Sequence, residues 1–341
     1  VVLFRNRNLR DDTNAIRPVR TFRNPSLGVR IASVPRFPGS SPRFVFNAAG
    51  RVTGGILFWC ALLCAADSHI DHVTVAGREL GKLQAALKSV GLASVYGGAH
   101  NNHATEMSLV SFPDGAYLEL MGIHTQADPE AVAKHVWAKF LNGNAGPCAW
   151  ALREKDLNAE VQRLRAAGVP VSAPERSGRL RPDGVHLEWE TSDVGAFLRG
   201  TFFPFLIHDF TPRRDRAFPQ GKPVTRDFRG ISYVVIAVKN LDDGIKRYHE
   251  AYAVPPPIKQ ADKDWGAYLA LLGNVPVILA QPLNADSWLD GRLAEFGEGP
   301  CAFILDAANP SHYKTAIRSR WFGTQISWFD PAQLGWRLGY Q

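Results

Sequence analysis

Two side chains able to do chemistry sit on segments that read as strands. His72 lies in Ile70-Asp71-His72-Val73-Thr74-Val75, and Glu119 lies in the run 116–122. Alternate residues of a strand point to opposite faces. Asp71, Val73 and Val75 therefore share one face, and Ile70, His72 and Thr74 share the other. A helix covering Val73 and Val75 leaves His72 on the opposite, concave side. By the same alternation Tyr117, Glu119 and Met121 share a face, which puts Glu119 beside His72. A histidine and a carboxylate on one concave face suit a divalent ion such as Zn, Mn or Fe(II). They equally suit a plain hydrogen-bonded pair. Two further histidines, His100 and His103, occupy a Gly- and Asn-rich loop just before Thr105. They would complete such a site, bind substrate, or simply face solvent. Arg179 and Arg181 precede a strand expected to line the same cavity, and an arginine fork matches a carboxylate or phosphate. Trp189, Phe203 and Phe205 offer an apolar wall or core packing.

These residues need a scaffold, and the chain repeats one. Gly146-Pro147-Cys148-Ala149-Trp150-Ala151-Leu152 returns as Gly299-Pro300-Cys301-Ala302-Phe303-Ile304-Leu305. The segment around His72 returns as Ile231-Ser232-Tyr233-Val234-Val235-Ile236. After the first strand, Leu80, Leu83, Leu87 and Val90 recur at helical spacing and Gly91 supplies a stop. Strands follow at about 93–97, 105–112 and 116–122, with Pro113-Asp114-Gly115 as a turn. The second unit repeats this β-α-β-β-β order, with strands near 147–153, 169–173, 184–191 and 197–207 and a helix through Leu157, Val161 and Leu164. Residues 129–141 read as an extra connecting helix. The third unit runs from about 230 to 282. The fourth runs from about 299 to 340, with a helix at roughly 311–320. The fold class is α+β: four βαβββ units paired into two domains, each a curved open barrel with helices outside. The domains fall at 67–210 and 229–341, with a Pro- and Arg-rich linker at 211–228.

The formal charge of +7 invites a nucleic-acid reading. Its distribution argues against one. Residues 1–52 hold ten Arg, no Lys and two Asp, a balance of +8, so the rest of the chain carries −1. No basic face remains to follow a phosphate backbone. The Arg-rich stretch reads as a disordered or non-native tail, with a transit peptide as the alternative. Residues 53–66 include the apolar run Ile56–Ala66 after Arg51, too short to span a bilayer and suited to a secretory signal cut before Asp67. A buried element of the fold is the alternative. Export would place the mature protein in a periplasm or outside the cell, with no membrane attachment after cleavage; a cytoplasmic location is the alternative. Cys148 and Cys301 then remain, at matching repeat positions, and each is expected to pack within its own domain.

The residues Asp71-His72-Val73, Gly97-Gly98-x-His100, Thr105 and Gly115-Ala116-Tyr117-Leu118-Glu119-Leu120 resemble the glyoxalase-like branch of the vicinal oxygen chelate superfamily. So do Arg179-x-Arg181-Pro182-Asp183-Gly184-Val185, Trp189 and Phe203-Pro204-Phe205. The resemblance implies paired βαβββ units around a substrate cavity. In metal-using members a ligand comes from the first and last strand of each paired unit. His72 and Glu119 match those positions, implying a metal site for Zn, Mn, Fe or Ni. The second unit departs from the pattern: its matching positions are Ala149 and Leu206 or Ile207, with His208 and Asp209 just beyond. The second domain has Tyr233 and Ala302, then Ile278 and Gly339, and keeps no site. The resemblance thus implies a metal-dependent lyase, isomerase or related enzyme acting on a small oxygen-rich substrate. Glu119 and His100 would be its catalytic residues, and Arg179, Arg181, Trp189 and Thr105 its substrate-binding ones. The alternative is a metal-free binding or sequestering protein on the same fold, with the second domain structural or dimer-forming.

Overall fold

The computed structural model describes residues 69–341. The tail and the signal-like segment expected at 1–66 lie outside the described residues. The first unit runs β1 (His69–Ala76), α1 (Leu80–Ser89), β2 (Val95–Ala99), β3 (Thr105–Ser111) and β4 (Tyr117–Ile123). Leu80 and Leu87 bury the inner stripe of α1, and Gly91, at φ +90°, turns the chain away after it. Two short helices follow, α2 (Pro129–Lys134) and α3 (Ala138–Asn142). The single connecting helix expected at 129–141 is thus broken. His135 ends α2 in extended geometry, and the Trp137 indole N–H donates to the Arg199 carbonyl at 2.9 Å instead of continuing the helix line.

The second unit runs β5 (Gly146–Arg153), α4 (Leu157–Ala166), β6 (Glu175–Leu180), β7 (His186–Ser192) and β8 (Phe205–Asp209). Asp156 caps α4 by accepting from the Ala159 amide at 2.9 Å, and Leu157, Val161 and Leu164 form its buried face. The strand expected at 169–173 shrinks to one bridge, Val171 to Val194, and the strand expected at 197–207 starts only at Phe205. Gly195 and Gly200, both at positive φ, fold the intervening residues into turns. Residues 211–228 carry the short helix α5 (Arg213–Ala217).

The third unit comprises β9 (Phe228–Ala237), α6 (Leu241–Tyr252), β10 (Ile258–Asp262), β11 (Ala267–Leu271) and β12 (Val277–Pro282), followed by α7 (Trp288–Phe296). The fourth comprises β13 (Gly299–Ala307), β14 (Ile317–Trp321), β15 (Thr324–Trp328), α8 (Pro331–Leu334) and β16 (Arg337–Tyr340). Its expected helix at 311–320 is absent, since residues 317–321 form β14. There Ser319 and Trp321 alternate inward, and the Trp321 indole N–H reaches Asp262 at 2.7 Å. Tertiary pairing overrides local propensity at this edge.

The strands make two eight-stranded sheets, ordered β2-β3-β4-β1-β5-β8-β7-β6 and β10-β11-β12-β9-β13-β16-β15-β14. In each sheet an antiparallel pair of first strands joins two units, β1 to β5 and β9 to β13. The rims of the first sheet are tied across its mouth. Asn101 donates to the Gly178 carbonyl at 2.7 Å, and Arg179 to the Gly97 carbonyl at 2.8 Å. Gln260 ties the second in the same way, donating to the Arg320 carbonyl at 2.6 Å.

The concave faces differ. Around Val235, Ala237, Ala302 and Ile304 the second sheet packs Trp265, Trp321 and Trp328, all buried, with Trp265 5.1 Å from Trp321 and 4.7 Å from Trp288. Four indoles fill the volume that the first sheet leaves open. Arg337 lies over the Trp288 ring at 4.1 Å and covers this plug.

The repeated Gly-Pro pair is not equivalent in its two copies. Gly146 sits at φ +67°, and a Cβ there would lie 2.6 Å from Trp336 Cβ. Gly299 has no such backbone, and its nearest neighbour would be Thr201 Cβ at 3.3 Å. Gly146→Ala is expected to cost about 1–3 kcal/mol in urea unfolding, and Gly299→Ala distinctly less. Equal costs would contradict this difference between the copies.

Candidate functional site

The first sheet places its polar residues by register. β1 and β4 run parallel with Thr74 opposite Glu119 and His72 opposite Tyr117. The Thr74 hydroxyl donates to Glu119 Oε2 at 3.0 Å, and His72 Nε2 stands 4.0 Å from the same oxygen. His100 Nε2 approaches the other oxygen, Oε1, at 3.3 Å. His72, His100 and Glu119 line a cavity of about 290 Å³, together with Arg179, Trp189 and Phe205. Glu119 is 5 % exposed. Burial alone would raise its pKa, but the ring of His100, then His72 and the Thr74 hydroxyl, outweigh that and hold it at about 2. Glu119 is therefore held as a carboxylate, with a partner on each of its two oxygens.

Asp71 departs from the simple alternation. It was expected under α1 with Val73 and Val75. A register shift between Ile70 and His72 turns it instead toward the site. Its carboxylate is completely buried. Oδ1 accepts from His72 Nδ1 at 2.6 Å and from Arg216 Nη1 at 3.0 Å; Oδ2 accepts from Arg216 Nη2 at 2.9 Å and from Arg213. Burial opposes its ionisation, yet Arg216, Arg213 and His72 together keep its pKa well below the usual carboxylate range. Arg216 is gripped from its other side by Asp209, at 2.6 and 2.8 Å, and donates to the Tyr117 hydroxyl at 2.6 Å. The Tyr117 ring stacks on His72 at 4.9 Å and 1°, and Phe205 meets the imidazole edge at 5.3 Å.

This packing decides the histidine tautomers. An ionised Asp71 only accepts, so His72 carries its proton on Nδ1 and turns the Nε2 lone pair to the cavity. At His100 the order reverses. Thr105 Oγ1 lies 2.8 Å from Nδ1 and donates to it, leaving Nε2–H for Glu119. Asn102, donating to Thr105 Oγ1 at 3.1 Å, fixes that hydroxyl.

The other residues singled out in the sequence divide clearly. Arg179 is 4 % exposed and reaches the cavity, as does Trp189. Thr105 lies behind His100 rather than on the wall. Arg181 does not face the cavity: its guanidinium holds Asp183 and the carbonyls of Asp215 and Pro219. His103 is exposed, at φ 55°, away from the cavity. His208 Nδ1 meets the Glu154 carbonyl at 3.0 Å, and Asp209 is committed to Arg216. Periodicity gave no sign of three wall residues, His135, Arg199 and Arg216. His135 follows a broken helix, and burial and nearby His100 lower its pKa. The cluster Arg213-Arg214-Asp215-Arg216 was the one available signal for the clamp.

The donors can be tested against the metal that the resemblance implies. Both Glu119 oxygens already have partners, and the matching positions of the second unit, Ala149 and Ile207, are buried and cannot ligate. Among the described residues no three His, Cys, Asp or Glu side chains form a group able to hold a metal ion. His100 turns an N–H rather than a lone pair toward Glu119, so His72 and Glu119 alone fall short of the three donors that catalytic Zn sites use. This donor set does not fit a resident metal.

Paired βαβββ units around one polar concave face define the vicinal oxygen chelate class. The chain belongs to the family described as the glyoxalase-like domain, whose family model matches residues 70–252. No curated protein matches it. Among solved structures, a hypothetical protein from Staphylococcus aureus is similar over 80 % of this chain and 98 % of its own, at 14 % identity and a TM-score of 0.55. A methylmalonyl-CoA epimerase from Mycobacterium tuberculosis is similar over 34 % of this chain and 89 % of its own, at 20 % identity and a TM-score of 0.31. At these identities the first likeness speaks to fold alone.

Removing the Asp71 charge leaves one buried and one partly buried guanidinium, Arg216 and Arg213, undercompensated. Asp71→Asn is expected to cost roughly 3–5 kcal/mol in urea unfolding at pH 7. The pH dependence has a definite sign. A carboxylate with a depressed native pKa stabilises fully above its unfolded value, here 3.8, and loses that contribution as pH falls below it. The gap between wild type and variant should therefore hold above pH 4 and narrow below it. A gap that is constant across this range would contradict the assignment.

Proposed function

We propose that the first-sheet cavity is an enzyme site that moves a proton on a small oxygen-bearing substrate, in the manner of an isomerase or lyase, without a resident metal. The observation that carries this reading is the buried Asp71–His72 pair, whose imidazole presents Nε2 to the cavity 4.0 Å from the Glu119 carboxylate. An imidazole oriented by a carboxylate is a general base. His72 Nε2 takes a proton from a carbon next to a substrate carbonyl, and the C–H electron pair moves onto the carbonyl oxygen. The new imidazolium lies between two carboxylates, Asp71 and Glu119, which stabilise it electrostatically. It returns the proton to a neighbouring atom of the same substrate, or a leaving group departs. Glu119 stabilises charge here while His72 is the base, since both Glu119 oxygens already have partners, Thr74 on Oε2 and His100 on Oε1. The summed positive potential of the wall arginines Arg179, Arg199 and Arg216 favours the oxyanion.

Deuterium uptake from D₂O into a panel of small 2-oxo and 2-hydroxy acids, followed by NMR, tests this. We expect exchange that survives a chelator and falls by about 100-fold or more in His72→Gln. Exchange abolished by chelator and restored by Zn²⁺ would overturn the metal-free reading. Ligand-induced thermal stabilisation with no exchange for any compound would favour the second reading, a binding or sequestering protein.

A further inference from the structure

Three arginines reach the cavity, and their charges are not balanced alike. Arg216 lies between Asp71 and Asp209. Arg199 pairs with Asp193 and stacks over Phe205 at 4.0 Å. Arg179 has no carboxylate partner among the described residues. Its one hydrogen bond runs from Nη1 to the Gly97 carbonyl at 2.8 Å, which leaves the rest of its fork to the cavity. A guanidinium that is 4 % exposed and lacks a counter-ion is costly. Burial in fact lowers its pKa, against the pull of Tyr117 and Glu119. An anion arriving from solvent removes that cost and gains a bidentate, charge-assisted contact.

Much of the remaining wall is flat and apolar, beside the polar Asn101, Asn102, His135, Ser177 and Thr191. Trp137, Trp189 and Phe205 present ring surfaces, and Met107 and Met121 are buried beside them. Trp137 has its N–H committed to the Arg199 carbonyl, so toward the cavity it offers only its ring. Aromatic faces of this kind stack on planar groups, and methionine adapts to their edges. A volume of about 290 Å³ sits at the small end of ligand pockets.

We infer that the substrate is a small planar or aromatic monocarboxylate, with its carboxylate on Arg179 and its apolar body between Trp137, Trp189 and Phe205. This rests on the first-sheet cavity being the substrate site. One anionic group is the match because one fork lacks a partner. A dianion would meet the fixed Glu119 carboxylate.

Isothermal titration of the whole chain with benzoate, benzamide and acetate tests the inference. Benzamide keeps the shape of benzoate without the charge, and acetate keeps the charge without the ring. We expect benzoate to bind at least 30-fold tighter than benzamide and at least 10-fold tighter than acetate, estimates on the order of one charge-assisted contact and one stacked ring. Arg179→Gln, which removes the charge and the fork, should abolish the preference for benzoate over benzamide. Equal affinity for benzoate and benzamide in the wild type would overturn the inference without needing any variant to fold. So would a preference for benzoate that persists in Arg179→Gln. Arg179-dependent benzoate binding together with no exchange in D₂O would uphold this inference and remove the proton-transfer reading. Exchange confined to uncharged carbonyl compounds would do the reverse.

Discussion

A carboxylate sealed from water persists only if opposite charge is sealed in with it, and Asp71 is matched by two guanidiniums and an imidazole. Much of the site follows from this. Arg216 needs Asp209 to balance its second edge, so the end of β8 and helix α5 close over the first sheet. Arg213 also bonds the carbonyls of Asp71 and Gly115, which ties β1, the turn before β4 and α5 into one unit. The tautomer of His72 is the chemical product of that packing. Its ring is held on three sides, by Asp71, by the stacked Tyr117 and by Phe205, so only Nε2 remains for chemistry.

The two sheets share a topology and diverge in what their concave faces hold. In the first, Thr74, Glu119 and His72 line up by register and the cavity stays open. In the second, Val235 and Tyr233 stand where Thr74 and His72 do, and indoles occupy the space. A cavity filled by Trp265, Trp321 and Trp328 contributes packing in place of a site. The second sheet also braces the first. Arg292 of α7 donates to the carbonyls of Ala145 and Pro147 as well as Pro300, bridging the two Gly-Pro-Cys-Ala copies. The most visible repeat in the chain thus marks the seam between the sheets.

What could be read from the sequence was what period and repetition encode. Alternation along 70–75 and 116–122 is enough to bring His72 and Glu119 to one face, because strand geometry fixes side-chain direction. It fails at Asp71, since a bulge inserts one residue and breaks the period. The Asp71–Arg216 pair spans 145 positions, and no local pattern encodes a contact at that distance. The residues of β14 carry no strand alternation strong enough to outweigh helical spacing; only the neighbouring β15 makes them a strand. Arg181 looked like an anchor beside Arg179. Asp183, two residues on, captures it, and it was Arg179 that kept an open fork.

The central claim is that Asp71 sets the tautomer of His72 in a site built for proton transfer rather than for a metal. Long-range ¹H–¹⁵N correlation of histidine-labelled protein observes this directly, at a pH where the ring is neutral. The account predicts Nδ1 protonated and Nε2 bare at His72, unchanged by added Zn²⁺, with the preference lost in Asp71→Asn. A proton on Nε2, or a Zn²⁺-induced shift of Nε2 in the wild type, would contradict it.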